Sequence, residues 1–159
     1  MTTSQTPIIR FDGNYFSYTD NNGKLVKIPA ISGKTDSQNS QLQNIRGKGP
    51  LPEGFYDVKQ AKYQNIADIS NWNYIKSSFG GGGWKGTKDA WGTERVWLEP
   101  QAVSKMYGRD NFTIHGGLKA GSAGCIDLVG NAPTFFGSVA NLTSQTQKSE
   151  ITYLDLKII

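Results

Sequence analysis

Phe112-Thr113-Ile114-His115-Gly116-Gly117-Leu118-Lys119-Ala120-Gly121-Ser122-Ala123-Gly124-Cys125-Ile126-Asp127-Leu128 holds the only histidine and the only cysteine of the chain. Its two ends are aromatic and β-branched, and its middle is glycine and other small residues. Phe112–His115 reads as a strand that Gly116-Gly117 brings to a stop, and Gly124–Leu128 reads as a second short strand. Glycine between them lets the backbone turn sharply and leaves room for a close approach.

The same grammar recurs outward from this segment. Ile8–Phe11, Tyr15–Tyr18 and Lys24–Ile28 read as strands. They are separated by Asp12-Gly13-Asn14 and Asp20-Asn21-Asn22-Gly23, residues that favour tight turns. Ser32–Gly49 is polar and reads as a long surface loop, closed by the rigid turn Gly49-Pro50-Leu51-Pro52-Glu53-Gly54. Phe55–Val58 and Glu94–Leu98 read as strands, the latter stopped by Pro100. Gln101–Tyr107 reads as a short helix. Asn131-Ala132-Pro133 supplies a cap and a first-turn proline for a helix whose apolar face is Phe135, Phe136, Val139 and Leu142. Ile151–Ile158 alternates as a closing strand. Residues 59–91 resist assignment. Gly80–Gly83 lacks the Gly-Lys-Ser/Thr of a phosphate loop and reads as a loop flanking a groove. The expected class is mainly β, as one domain over residues 1–159, with long loops and one or two short helices.

Composition narrows the function. The chain has 159 residues, a 36% apolar share and four Trp, seven Tyr and seven Phe, which suits a packed core and not a disordered chain. No run approaches the roughly 18 apolar residues of a spanning helix, so no membrane insertion is expected. The net charge of +4 is spread along the chain without a basic cluster, which argues against nucleic acid. Met1–Pro7 has neither the basic start nor the apolar run of a secretory signal, so synthesis in the cytoplasm and export by another route are expected. With one Cys and one His, neither an intrachain disulfide nor an ordinary metal site is expected, and no cofactor is called for.

Chemistry then centres on His115 and Cys125. A thiol becomes a nucleophile as its thiolate, and a neighbouring imidazole is the usual activator. The amides of Cys125 and of Gly124 or Ala123 are candidates for an oxyanion hole, and Ser122 for the group that orients the imidazole. Each residue also has an ordinary reading: a lone cysteine as a small buried hydrophobe, a lone histidine as part of a turn.

Ile114-His115-Gly116-Gly117 followed by Gly121-Ser122-Ala123-Gly124-Cys125-Ile126-Asp127-Leu128 resembles the His-Gly…Ser-x-Gly-Cys signature of YkuD-type L,D-transpeptidases. The resemblance is closest to the branch found among type VI secretion effectors. Phe11-Asp12-Gly13, Pro29–Gly33, Gly49–Tyr56, Trp91-Gly92 with Arg95–Pro100, and Tyr107-Gly108-Arg109 resemble that branch in the same order. The likeness runs from about Phe11 to Leu128.

The resemblance implies a YkuD-like β-sandwich and a peptidoglycan-modifying acyl transferase. Cys125 would be its nucleophile, His115 its base and Ser122 a third member, with an oxyanion hole at Gly124 and Cys125. The substrate would be a stem tetrapeptide, attacked at the diaminopimelate–D-alanine bond. Many L,D-transpeptidases carry Arg or Asn two positions after the cysteine. That position is Asp127 here, which turns attention for substrate binding to Arg109 and Arg95, each also readable as an exposed charge. Gly116, Asp127 and Trp91 complete the candidate substrate contacts. The effector branch further implies a cognate immunity protein, a secretion-apparatus partner and action in a target cell's periplasm. The alternatives are a cysteine peptidase or amidase cutting another wall bond, and a non-catalytic wall-binding module using Trp72, Trp84, Trp91 and Trp97.

Overall fold

Short turns dictate the first sheet contacts. In the computed structural model, which describes residues 9–20, 22–77, 79, 83–84, 87–118, 121–139 and 147–153, Asp12 Oδ1 accepts the amides of Asn14 (2.9 Å) and Tyr15 (2.7 Å). Asp20 Oδ1 likewise accepts those of Asn22 and Lys24, both at 2.9 Å. Gly13 and Gly23 sit at φ +99° and +78°, where a side chain is strained. These turns fold β1 (Ile9–Phe11), β2 (Tyr15–Thr19) and β3 (Leu25–Pro29) into an antiparallel meander.

The chain continues through β4 (Ile31–Ser32), the long β5 (Gly54–Asn65), α1 (Asn71–Ser77) and α2 (Thr87–Trp91). It then forms β6 (Glu94–Pro100), β7 (Phe112–His115), β8 (Ile126–Asp127), α3 (Ala132–Val139) and β9 (Gln147–Ile151). The described strands make one nine-stranded sheet in the order β3-β2-β1-β9-β5-β6-β7-β8-β4. Its two edge strands, β3 and β4, are consecutive in the chain, with Ala30 alone between them. The sheet therefore curls until its edges nearly meet. The mainly β class with few short helices agrees with the sequence.

Alternation along the strands sets the core. Ile9 and Phe11, Phe16 and Tyr18, Val96 and Leu98, and Phe112 and Ile114 all point into one buried cluster. α3 adds Phe135 and Phe136, with Phe135 edge-on to Phe16 (4.9 Å) and Tyr18 (5.1 Å). Edge-to-face contacts of this kind add to the burial of each ring.

Four segments differ from expectation. Gln101–Tyr107 is a series of turns and not a helix. Its donors go to β5: the Gln101 amide and the Ser104 hydroxyl both bond the Phe55 carbonyl, and Ser104 Oγ accepts the Phe55 amide (2.8 Å). The closing strand lies at Gln147–Ile151, earlier than the Ile151–Ile158 alternation suggested. Tyr153 still points inward but leaves the ladder, because its amide bonds Glu53 Oε1 (2.8 Å). Residues 154–158, Ile8, Leu142 and Gly80–Gly82 lie outside the described residues. Residues 54–65, partly unassigned from sequence, form one bulged strand.

The loop after β4 is the fourth difference. It is no simple surface loop: Ser40, Gln43 and Gly49 are buried, and Arg109 holds them from within. Its guanidinium donates to the carbonyls of Gln43, Pro50 (2.7 Å) and Gly49 (2.9 Å). At 6% exposure it is neither an exposed charge nor a free anchor for a substrate carboxylate. Sequence could not reveal this, because the three carbonyls are main-chain groups some sixty residues away. Removing the guanidinium strands the buried carbonyls of Gln43 and Pro50, while that of Gly49 keeps the Gly124 amide. Arg109→Met should therefore lose about 2–4 kcal/mol of unfolding free energy in a denaturant titration, since each buried acceptor left unsatisfied costs about 1–3 kcal/mol. Arg109→Lys should recover only part of it, because an ammonium cannot reproduce the planar fork.

Candidate functional site

Cross-strand register assembles the site. β7 is buried on both faces; Phe112 and Ile114 face the core, so Thr113 and His115 share the opposite face. His115 pairs with Arg95 on β6 and with Asp127 on β8, and Thr113 pairs with Trp97. Cys125 lies just before β8, on a tight turn in which its amide faces the Ser122 carbonyl at 3.4 Å and Gly124 takes φ +69°. The topology thus brings the single thiol to the single imidazole.

Their hydrogen bonds define roles. His115 Nδ1 lies 2.6 Å from the Gly116 carbonyl. A carbonyl can only accept, so Nδ1 carries the proton and Nε2 is left as the basic nitrogen. Nε2 is buried and has no partner at hydrogen-bonding geometry. It nevertheless interacts with the Cys125 thiol closely enough to alter both acidities. Burial pulls His115 down, but the thiolate of Cys125, the Gly116 carbonyl and the charge of Asp127 outweigh it, and the imidazole is raised above its ordinary value. Burial pushes Cys125 up, but His115 and the Thr113 hydroxyl outweigh it, and the thiol is held below its ordinary value. Thr113 Oγ1 donates to Cys125 Sγ at 3.1 Å. Each group therefore favours the charged form of the other, against the pull of burial.

The remaining candidates fall into two groups. Trp91 and Arg95 belong to the site: the Trp91 ring packs on the His115 ring at 4.9 Å, and the Arg95 guanidinium lies 4.8 Å from the Trp91 ring. Arg95 is buried among aromatic rings and is not the exposed charge that was one of its readings. Asp127 is fully buried, its two oxygens accepting the amides of Gly121 (3.0 Å) and Val129 (2.8 Å). Those bonds pin both ends of the turn that carries Cys125 and hold Val129 at φ +51°, strained for a β-branched residue. Asp127 thus serves as a brace and offers no open substrate contact.

Other expectations are corrected. The imidazole is oriented by the Gly116 carbonyl and not by Ser122, whose own carbonyl faces the amides of Gly33 (3.0 Å) and Cys125. Gly116 is enclosed, since a Cβ there would meet Ala132 Cβ at 2.7 Å, so it presents no substrate surface. Of the two amides expected to face an oxyanion, that of Gly124 is committed to the Gly49 carbonyl at 2.9 Å, and that of Cys125 makes only a long 3.4 Å contact to the Ser122 carbonyl. Thr113 was missed, although its place two residues before His115 on a strand puts both on one face. Among the described residues no three metal-ligating side chains converge, and no helix is long and apolar enough to cross a membrane.

A family model for the Tlde1 domain matches residues 26–153. The chain belongs to the Tlde1 domain family. This is a family of type VI secretion effector domains, and the match carries the likeness beyond Leu128 to include α3 and β9. No curated protein matches the chain. In this Tlde1 domain the thiol–imidazole pair and its braces all fall within the matched stretch.

The directions of the two acidities fix a pH profile. Cys125 ionises below the ordinary thiol range, and His115 stays protonated above the ordinary imidazole range. The thiolate–imidazolium form is thus favoured over what burial alone would give. It is lost as pH falls through the midpoint of Cys125 and as pH rises through the midpoint of His115. Thiolate absorbance, read against Cys125→Ser, should show its midpoint below that of a free cysteine. In His115→Gln, where burial is no longer opposed by the imidazole, the midpoint should rise above it.

Proposed function

We propose that this domain is a peptidoglycan-modifying cysteine acyl transferase acting on stem tetrapeptides at the diaminopimelate–D-alanine bond, delivered to a rival cell as an antibacterial effector. The observation that carries this reading is the buried Cys125–His115 pair. Its base is fixed in one tautomer by the Gly116 carbonyl, and its thiol is held low by the imidazole and Thr113. Family membership supports the delivery route. The ordered resemblance to L,D-transpeptidases supports the bond.

The chemistry follows from the pair. The Cys125 thiolate attacks the carbonyl carbon at the L-centre of diaminopimelate. Negative charge moves to oxygen, where the Cys125 amide is a donor. The tetrahedral intermediate collapses as protonated His115 gives its Nε2 proton to the departing amine of D-alanine, leaving a thioester. His115, now neutral, takes a proton from the acceptor as it attacks the thioester carbonyl, and the thiolate is released. Water as acceptor gives an L,D-carboxypeptidase, a D-amino acid gives exchange, and the amine of another stem gives a crosslink. No step calls for a metal or an organic cofactor. An enzyme of this kind also requires a cognate immunity protein in the producing cell and a component of the secretion apparatus to carry it.

Of the four tryptophans considered for stacking on wall sugars, Trp72 is exposed, at 63%, and the other three are engaged within the fold. Trp84 is fully buried, and Trp84, Trp91 and Trp97 pack around Arg95. Incubation with purified tetrapeptide muropeptides, with and without added D-amino acids, tests the proposal by mass analysis. Loss or exchange of the terminal D-alanine is expected, falling at least about a thousandfold in Cys125→Ala, as for removal of other nucleophiles. Unchanged muropeptides with the wild-type protein would sink it, and released stem peptides would favour an amidase. Directed to the periplasm, the wild type should be toxic and Cys125→Ala harmless; equal toxicity in the cytoplasm would count against this site of action.

A further inference from the structure

The His115 ring packs against that of Trp91, with ring centroids 4.9 Å apart and planes tilted by 53°, and Trp91 is itself well fixed. Arg95 lies opposite His115 in the β6–β7 register. Its guanidinium carbon is 4.2 Å from the Trp84 ring centroid, 4.8 Å from that of Trp91 and 5.4 Å from that of Trp97. Two hydrogen bonds hold it there, Nε to Gln64 Oε1 and Nη2 to the Gly83 carbonyl, each 2.7 Å. Every one of these partners is neutral. The cation is thus kept in place by ring faces and dipoles, and it braces the indole of Trp91 from one side.

The backbone fixes Trp91 from the others. The Asp89 carbonyl accepts the Leu118 amide (3.0 Å), joining α2 to the segment after His115. Gly117 lies so close beneath α2 that a Cβ would come within 2.9 Å of the Asp89 and Ala90 carbonyls. Gly92, at φ +68°, faces the Gly116–Gly117 backbone, where a Cβ would meet atoms at 3.1–3.3 Å. The Trp84 indole donates to the Gly92 carbonyl at 3.1 Å.

We propose that Trp91, held by the caged Arg95, is a positioning residue that fixes the ring plane of His115 against Cys125. The in-plane bond from Nδ1 to the Gly116 carbonyl sets the tautomer, but one bond leaves the ring free to rock about it. The indole packed on the ring removes that freedom. Its π face also favours the imidazolium over the neutral ring, and hence the thiolate that pairs with it. The charged groups acting on the pair are few. Asp127 acts on His115 from β8. Cys125 feels His115 most directly, and its charge in turn acts on Arg95 and Arg109. This role rests on the catalytic reading of the Cys125–His115 pair, but its main test needs no substrate.

One histidine and one cysteine in the chain make both groups readable without assignment. The His115 ring resonances and the Cys125 thiolate absorbance are titrated in wild type, Trp91→Phe and Trp91→Leu. Leucine keeps the space apolar while removing the ring face. In Trp91→Leu the Cys125 midpoint should move up and the His115 midpoint down, and Trp91→Phe should stay near wild type. With a muropeptide substrate, kcat should fall about ten- to a hundredfold in Trp91→Leu with KM little changed, the scale of loss for a misplaced catalytic group. Unmoved midpoints in folded Trp91→Leu would overturn the proposal, as would a raised KM with unchanged kcat, which marks a substrate contact. Trp91→Met, read by the same titrations, decides the matter if the leucine variant does not fold. Failure of the muropeptide assay with normal titrations in the wild type would instead count against the proposed reaction.

Discussion

A single residue, Ala30, separates the two edge strands of the sheet, and most of the site depends on that constraint. Because β3 leads into β4 through one residue, the sheet must curl until β4 reaches β8 on the far side. β8 is two residues long, too short to hold its place alone. It is secured between β7 and β4, with Ile31 opposite Asp127 and Ser32 opposite Ile126. The amide of Gly33 then bonds the Ser122 carbonyl, so the closure also anchors the turn that presents Cys125. Cys125 is placed by the topology of the whole sheet and not by the local glycine-rich sequence alone.

Around that turn Arg95 and Arg109 are buried without a carboxylate partner among the described residues. Arg109 is satisfied by three carbonyls, Arg95 by two oxygens and three ring faces, and Asp127 by two amides. The Arg10–Glu150 and Lys59–Glu99 ion pairs lie at the surface, half-exposed, where such contacts contribute little. Inside, fixed dipoles hold each ion without neutralising it. Their charges remain available to act on the thiol and imidazole through a medium that screens them poorly. An enclosed pair would ordinarily revert to thiol and neutral imidazole on burial; here mutual attraction and the surrounding donors outweigh desolvation.

Much of this was legible in the sequence where the signal is local. The strand at Phe112–His115, the Asp-based turns and the start of α3 at Ala132 are short-range effects, and the structure places them close to their expected bounds. The segment joining His115 and Cys125 declared itself by composition. What stayed hidden depends on long-range main-chain contacts. The fate of Arg109 depends on three carbonyls in a loop whose residues look polar and exposed. Gly116 takes over the orienting role because its carbonyl points at Nδ1, and a carbonyl has no sequence signature. Gln101–Tyr107 has the composition of a helix, but Ser104 finds better partners on the backbone of Phe55, and side-chain bonding of this kind competes directly with helix formation.

The Gly49 carbonyl ties these threads to the chemistry. It accepts both the Gly124 amide and Arg109 Nη2, each at 2.9 Å, and so joins the loop braced by Arg109 to the residue before Cys125. Acyl transfer draws on backbone donors beside the attacking atom, and the gain is greatest when no other buried group is orphaned in supplying them. If the Gly124 amide turns to a developing oxyanion, the Gly49 carbonyl keeps its bond to Arg109, because a carbonyl has two acceptor sites and needs one of them filled. The Cys125 amide, held only by its 3.4 Å contact to Ser122, is easier still to redirect. Arg109 therefore matters to the site without touching a substrate: by keeping Gly49 satisfied, it lowers the cost of freeing the amide of Gly124.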